Sequence, residues 1–206
     1  MKSKPRILVV FYSMYGHIFK LAQEVAKGVN EAGGEAIIKQ VEELVPEKHL
    51  NKQAKQAKEK MKEIEIANPR EDLIDIDGVM VGVPTRFGNM CSQMRNFWDQ
   101  TGSMWGSLIG KPAAVFTSSN TQHGGQETTL ITTQITFLHH GCVVVGLPYS
   151  FSGQSRMDEI TGGSPYGLST VAGEGPPYER VPTDNELEMA KGYGKYLTNI
   201  ARKLMK

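Results

Sequence analysis

The stretch KPRILVVFYSMYGHIFKLAQEVA, residues 4–26, decides how the chain is read. A basic lead enters the apolar run Ile7-Leu-Val-Val-Phe-Tyr12, and the chain turns at Ser13-Met-Tyr-Gly16. Apolar residues then recur at helical spacing, at Ile18, Leu21, Ala22, Val25, Ala26 and Val29. A short, unalternating, β-branched run suits a strand buried on both faces of a parallel sheet, and the segment after the turn suits an amphipathic helix. A strand that feeds a helix through a polar turn sets backbone N–H groups, a hydroxyl and the positive end of a helix dipole at the carboxyl edge of the sheet. The turn is therefore an anion site or an ordinary strand-to-helix connection.

Missing features narrow the chemistry of this turn. No lysine comes after Gly16 as a Walker phosphate cradle requires, and one glycine cannot make the G-x-G-x-x-G of a dinucleotide fingerprint. Ser13, Tyr15, Gly16 and His17 suit a single phosphate held by hydroxyl and amide donors. Mononucleotide sites of the doubly wound fold with strand order 2-1-3-4-5 look like this, with FMN at the switch point between strands one and three.

Composition bounds the rest. With 206 residues, 39% apolar and 22% charged, the chain suits one globular domain spanning 1–206 with a real core. A net charge of +1 gives no field to draw nucleic acid or an acidic membrane. Cys91 and Cys142 are far apart, with no C-x-x-C spacing and no histidine at ligand distance along the chain, so no metal is expected and both read as reduced thiols. The N-terminal apolar run is too short for a membrane span and leads to no cleavage site, so the expectation is a soluble, cytoplasmic protein.

Strand and helix then alternate. Gly33-Gly34 closes the first helix, and Glu35-Ala-Ile-Ile-Lys-Gln-Val41 reads as a second, more polar strand at a sheet edge. Residues 47–65 are rich in lysine, but glutamates intersperse and no aromatic is present to stack a base, so they read as a solvated surface helix or a mobile insertion. Gly78-Val-Met-Val-Gly-Val83 is a third strand, leading to the loop Pro84-Thr-Arg-Phe-Gly-Asn-Met90, whose Phe87 is either core or a contact for a flat ligand. A helix over 91–100 leads to Trp105 in a glycine-rich connection. Ala113-Ala-Val-Phe-Thr-Ser118 is a fourth strand, its hydroxyl-rich loop runs from 118 to 125, and a helix runs from Gln126 to about His140. Cys142-Val-Val-Val-Gly146 is a fifth strand. The long connection after it, through Gly162-Gly-Ser-Pro-Tyr-Gly167 and Gly173-Glu-Gly-Pro-Pro177, is a functional or interface element, and Thr183-Asp-Asn-Glu186 is a capping box before a final helix. Five βα units make a flavodoxin-like α/β fold, a doubly wound five-stranded parallel sheet with helices on both faces.

With its loops in hand, the chain closely resembles the WrbA family of flavodoxin-like NAD(P)H:quinone oxidoreductases. Ser13-Met-Tyr-Gly-His-Ile18, Pro84-Thr-Arg-Phe-Gly-Asn-Met90, Gly124-Gly-Gln-Glu127, His139-His-Gly141 and Gly162-Gly-Ser-Pro-Tyr-Gly167 carry the likeness over essentially the whole chain. The resemblance implies FMN as cofactor, NADH or NADPH as reductant, quinones as oxidant and a homotetramer, a dimer of dimers; because both substrates then need the one open ring face, ping-pong turnover is expected. It places the phosphate on Ser13, Met14, Tyr15, Gly16, His17 and Ile18, and the isoalloxazine against Pro84, Thr85, Arg86, Phe87 and Gly88. Ser118, Ser119, Asn120, Thr121, Gln122 and His123, with His139, complete the flavin site. Tyr15 meets the nicotinamide nucleotide and Trp105 the quinone, while Arg86 and His139 take the catalytic roles. His139 is alternatively a satisfied helix histidine. Asn120 and Cys142 depart from the glycine and methionine common in relatives, which weakens the assignment near Asn120. A non-enzymatic electron carrier or regulatory binding module of the same fold is the competing reading, but the 118–125 loop lacks the aromatics and acids that carriers place around the ring.

Overall fold

The computed structural model describes residues 4–173 and 180–205. Strand β1 (Arg6–Phe11) has Ile7 to Phe11 fully buried, as its unbroken apolar run requires. Its side chains alternate between two cores. Ile7, Val9 and Phe11 pack on one face with helices α1 (His17–Glu31) and α5 (Asp184–Leu204), and Leu8, Val10 and Tyr12 on the other with α3 (Ser92–Asp99) and α4 (Gln126–His139). Strand β2 (Glu35–Gln40) pairs parallel with β1 and is half-exposed throughout, the edge position that its polarity indicates.

Strand β3 (Gly78–Arg86) lies on the other side of β1, and β5 (Pro112–Ser119) lies beyond it. The expected break at Pro84 does not occur. Pro84 stays in register with Ser118, and Thr85 and Arg86 continue as one arm of a hairpin with β4 (Asn89–Met90). The two residues at the tip, Phe87 and Gly88, have φ of 52° and 79°, the left-handed pair of a tight hairpin turn.

The flavodoxin-like order is present, with the fifth position built differently from expectation. Strand β6 is only Val143–Val144, paired with the first residues of β5, and β7 (Leu168–Val171) pairs with the last four. The chain leaves the sheet after Val145, whose N–H still donates to the Ala113 carbonyl. A Cβ on Gly146 would stand 2.2 Å from the Pro165 carbonyl oxygen, so the returning chain occupies the space a longer strand would need. The long connection thus interrupts the edge strand, and residues 174–177, which belong to the same expectation, lie outside the described residues.

The lysine-rich segment is ordered as α2 (Lys52–Met61), capped by Asn51 Oδ1 accepting from Ala54 N–H at 2.9 Å, with Ala54, Ala57 and Met61 buried. Cys91 and Cys142 are free and buried. Among the described residues no helix is long and apolar enough to cross a membrane.

Helices α1 and α5 touch backbone to backbone. A Cβ on Gly28 would lie 1.9 Å from the Lys191 carbonyl oxygen, and one on Gly194 would lie 2.1 Å from that of Val25. Gly194→Ala therefore destabilises the fold by about 1–3 kcal/mol through overpacking, outweighing a gain in helix propensity of about 1 kcal/mol. Chemical denaturation measures it, and an unchanged or raised midpoint would mean that the helices part without cost.

Candidate functional site

The carboxyl ends of β1, β3 and β5 meet in a cleft of about 280 Å³. The first wall is the turn after β1. Gly16 caps α1 at φ 95° and carries no side chain to bond the helix, and the first turn contains no acid. The first α1 residue to bond back to the turn is Lys20, to the Gly16 carbonyl at 3.0 Å, so the preceding N–H groups are presented to a ligand. The Gly16 N–H donates to Ser13 Oγ at 3.0 Å, which holds the hydroxyl at the same point. Nothing lies within 4 Å of where a Gly16 Cβ would stand.

His17, the first residue of α1, is buried and lines the cleft. Its Nε2 lies 2.5 Å from the Arg180 carbonyl oxygen, an acceptor only, so Nε2 carries the hydrogen. Burial pushes its pKa down, opposed by that bond and reinforced by Lys20 and Arg180. Tyr15 Oη accepts from Asn51 Nδ2 at 3.3 Å, which ties the cap of α2 to the turn after β1.

The second and third walls are the β3–β4 hairpin and the loop after β5. Thr85 Oγ1 accepts from Thr129 Oγ1 at 2.7 Å and from the Gly88 N–H at 3.3 Å, fixing the hairpin to α4. Arg86 is exposed at the lip and donates to the Thr85 carbonyl. Ser119 Oγ donates to the Thr121 carbonyl at 2.6 Å and accepts from Gln126 Nε2 at 2.8 Å, which sets the curve of the loop. Among the described residues the lining carries no carboxylate. Hydroxyls, amides and a guanidinium around an open slot suit an anionic, planar ligand.

Of the residues expected here, Ser13, Met14, Tyr15, His17, Ile18, Pro84, Thr85, Arg86, Ser118, Ser119, Asn120 and Thr121 line this one cleft. Gly16 contributes through the backbone. Phe87 stands fully exposed beyond the lip, so it is not core, while Gly88 beside it at the hairpin tip is half-buried against α4. Gln122 and His123 turn away to line a neighbouring polar cleft of about 770 Å³ between α4 and the 154–164 segment.

Two further expected residues, His139 and Trp105, lie far from the cleft of their own chain. Helix α4 starts beside the cleft at Gly125 and runs 14 residues, so His139 sits about 20 Å away at its far end. Trp105 is there too, 78% exposed, its Nε1 donating to the His139 carbonyl at 2.9 Å. An intrachain flavin contact by His139 is therefore not made. Gly124 and Ala172 line the cleft without having been expected. Ala172 lies just after β7, which the divided fifth strand hides from a sequence pattern.

Residues 5–156 match the model of the NADPH-dependent FMN reductase family. The chain is 52% identical over 204 residues to a NAD(P)H dehydrogenase (quinone) of Geotalea daltonii, covering 97% of this chain and 98% of that one. It is 48% identical over 201 residues to the protein of the same name from Paracoccus denitrificans, covering 97% and 95%. Among solved structures, it superposes on a flavodoxin, WrbA-like protein of Agrobacterium tumefaciens with a TM-score of 0.63 at 21% identity, covering 97% and 99%. An archaeal flavodoxin gives 0.61 at 17% identity, covering 95% and 98%. The last two are likenesses of fold. With the three-loop cleft, the full-length identity and the family match in agreement, the chain belongs to the NADPH-dependent FMN reductase family, and within it to the WrbA-type NAD(P)H dehydrogenases (quinone).

Proposed function

We propose that the chain binds FMN in the three-loop cleft and catalyses two-electron reduction of quinones with NADH or NADPH, as a single-domain cytoplasmic protein assembled into a homotetramer. The observation that carries this reading is the N-terminus of α1, without a side-chain cap, which faces a slot at the switch point of the sheet lined among the described residues by no carboxylate. The residues fit the cofactor. The Ser13 hydroxyl and the first-turn amides of α1 suit a phosphate, and the slot between residues 85–86 and 118–124 suits a flat ring. When bound, FMN supplies the hydride chemistry, accepting from a nicotinamide and passing to a quinone.

The chain's own part is positioning and charge. Arg86 brings positive charge to the lip, and loop amides add donors, so negative charge gathering on the ring is stabilised. No aromatic of the 118–125 loop covers the slot, which leaves one face for the nicotinamide and the quinone in turn, with Tyr15 at its rim. A shared face supports ping-pong turnover. It also separates this reading from an electron carrier: the yellow protein oxidises NADH when a benzoquinone is supplied, and a carrier does not.

Exposed apolar surface supports the oligomer. Ile131, Ile135 and Leu138, at i, i+4 and i+7, share the outer face of α4 and are 40%, 48% and 63% exposed; Trp105 and Ile109 are exposed as well. A second copy seated on this face covers it. Because Trp105 and His139 are joined by a hydrogen bond far from their own cleft, they act at a flavin by entering a neighbour's.

Gly16→Val forces a branched side chain into φ 95° in front of the amides, and Ser13→Asp sets a like charge beside the phosphate. Both variants purify folded and colourless or nearly so, as read by flavin absorbance against protein; full yellow occupancy in both would remove the assignment. Trp105→Ala raises the KM for quinone roughly tenfold, more than that for the nicotinamide, the scale expected for losing an aromatic anchor. Dilution abolishes quinone reduction before FMN is released. Light scattering with activity and flavin content across the series tests this, and a fully active monomer would contradict it.

A further inference from the structure

Glu186 is completely buried and does far more than close the capping box of α5. Its carboxylate accepts from the N–H of Thr183 and of Gly162, each at 2.8 Å, and from Thr170 Oγ1 at 2.7 Å, and it pairs with Arg180 Nη2 at 3.2 Å. The same guanidinium donates to the Ile160 carbonyl at 2.6 Å and to the Val171 carbonyl. Arg180 is thus fixed from three sides. Its main chain then offers the carbonyl that accepts from His17 Nε2, across 163 positions of sequence. The remaining ring nitrogen of His17, Nδ1, has no protein partner among the described residues, and the residue lines the cleft at the start of α1.

We infer that Arg180 and Glu186 are a positioning pair for the cofactor's phosphate: they hold the Arg180 carbonyl against His17 Nε2, which commits Nδ1 to take a proton from solvent and donate it in a hydrogen bond to a phosphate oxygen. This rests on the FMN reading given under Proposed function. The charged groups acting on the ring are Lys20 on its own helix, Arg180 after β7 and Glu186 at the start of α5. In the free protein, burial holds the ring neutral at neutral pH, and a dianionic phosphate beside Nδ1 reverses that preference. Protonation is then favoured in the complex over the free protein, so FMN affinity is greatest on the acid side. It falls by up to about tenfold per pH unit as pH rises through the interval between the two values.

Calorimetric titration of the FMN-stripped full chain at pH 7.5, in buffers of different ionisation enthalpy, counts the protons directly. FMN phosphate is already a dianion there, its second pKa being about 6, so uptake reports the protein. The wild type takes up close to one proton per FMN, and riboflavin, which lacks the phosphate, takes up none. His17→Asn abolishes the uptake. Glu186→Gln and Arg180→Lys, which keep shape or charge but not the fork, each lower the uptake and weaken FMN about tenfold. If Glu186→Gln does not fold, Arg180→Lys decides. Binding of FMN by the wild type with no dependence on buffer overturns the inference while leaving the FMN reading intact. Variants that melt earlier but keep wild-type uptake and affinity overturn it too, because the pair is then only a staple. Absence of FMN binding by the wild type overturns both readings.

Discussion

Strand β1 is buried on both faces, and that constraint governs the rest of the molecule. Its odd residues serve the core under α1 and α5, its even residues the core under α3 and α4. A slip of one residue in register would exchange the two sets and spoil both cores at once. The end of β1 is thereby fixed against β3, where the Tyr12 N–H donates to the Gly82 carbonyl at 3.0 Å, and the turn beyond it has one place to go. The turn from Ser13 to Gly16 gains its precision from the strand behind it.

The other walls are held by side chains that bridge elements. Thr129 of α4 fixes Thr85, Gln126 fixes Ser119, and Asn51 of α2 touches Tyr15. The hairpin tip is a costlier arrangement. Phe87 is the one non-glycine with positive φ among the described residues, and it is fully exposed as well. Such a residue costs on the order of 1–3 kcal/mol in backbone strain and gains nothing from burial in one chain. Its position beside the cleft, like the exposure of Trp105, fits a site completed by something beyond the lone chain.

Much of the fold and the cleft could be read from residues alone, and the parts that could not share a cause. The β1 run, the helical spacing after it and the capping box at Thr183 are local patterns, and the structure obeys them. The cleft lining was also accessible, since its residues sit at the ends of apolar runs. By contrast, the strand read at 142–146 keeps only Val143–Val144, Leu168–Val171 is too short to announce itself, and their shared place beside β5 is set by pairings distant in sequence. The distance of His139 from the cleft was likewise hidden, because a motif does not say how far a helix carries its last residue from the site at its start. The roles of Glu186 and Arg180 needed coordinates for the same reason: a capping box predicts the Thr183 contacts of Glu186 and none of the others.

The interruption between β6 and β7 also bears on how the protein survives at high concentration. An open sheet offers unpaired N–H and C=O groups along its edges, and a long, flat edge recruits strands from other molecules. Cross-β stacking typically needs about six consecutive residues. Here the outer edge consists of two residues and then four, separated by a segment that leaves the plane. The opposite edge, β2, holds Lys39 between Glu65 and Asp72 and is partly covered where Gln40 bridges to Ile66. Dividing the fifth strand therefore gives the chain an outer border with no run as long as cross-β stacking typically needs.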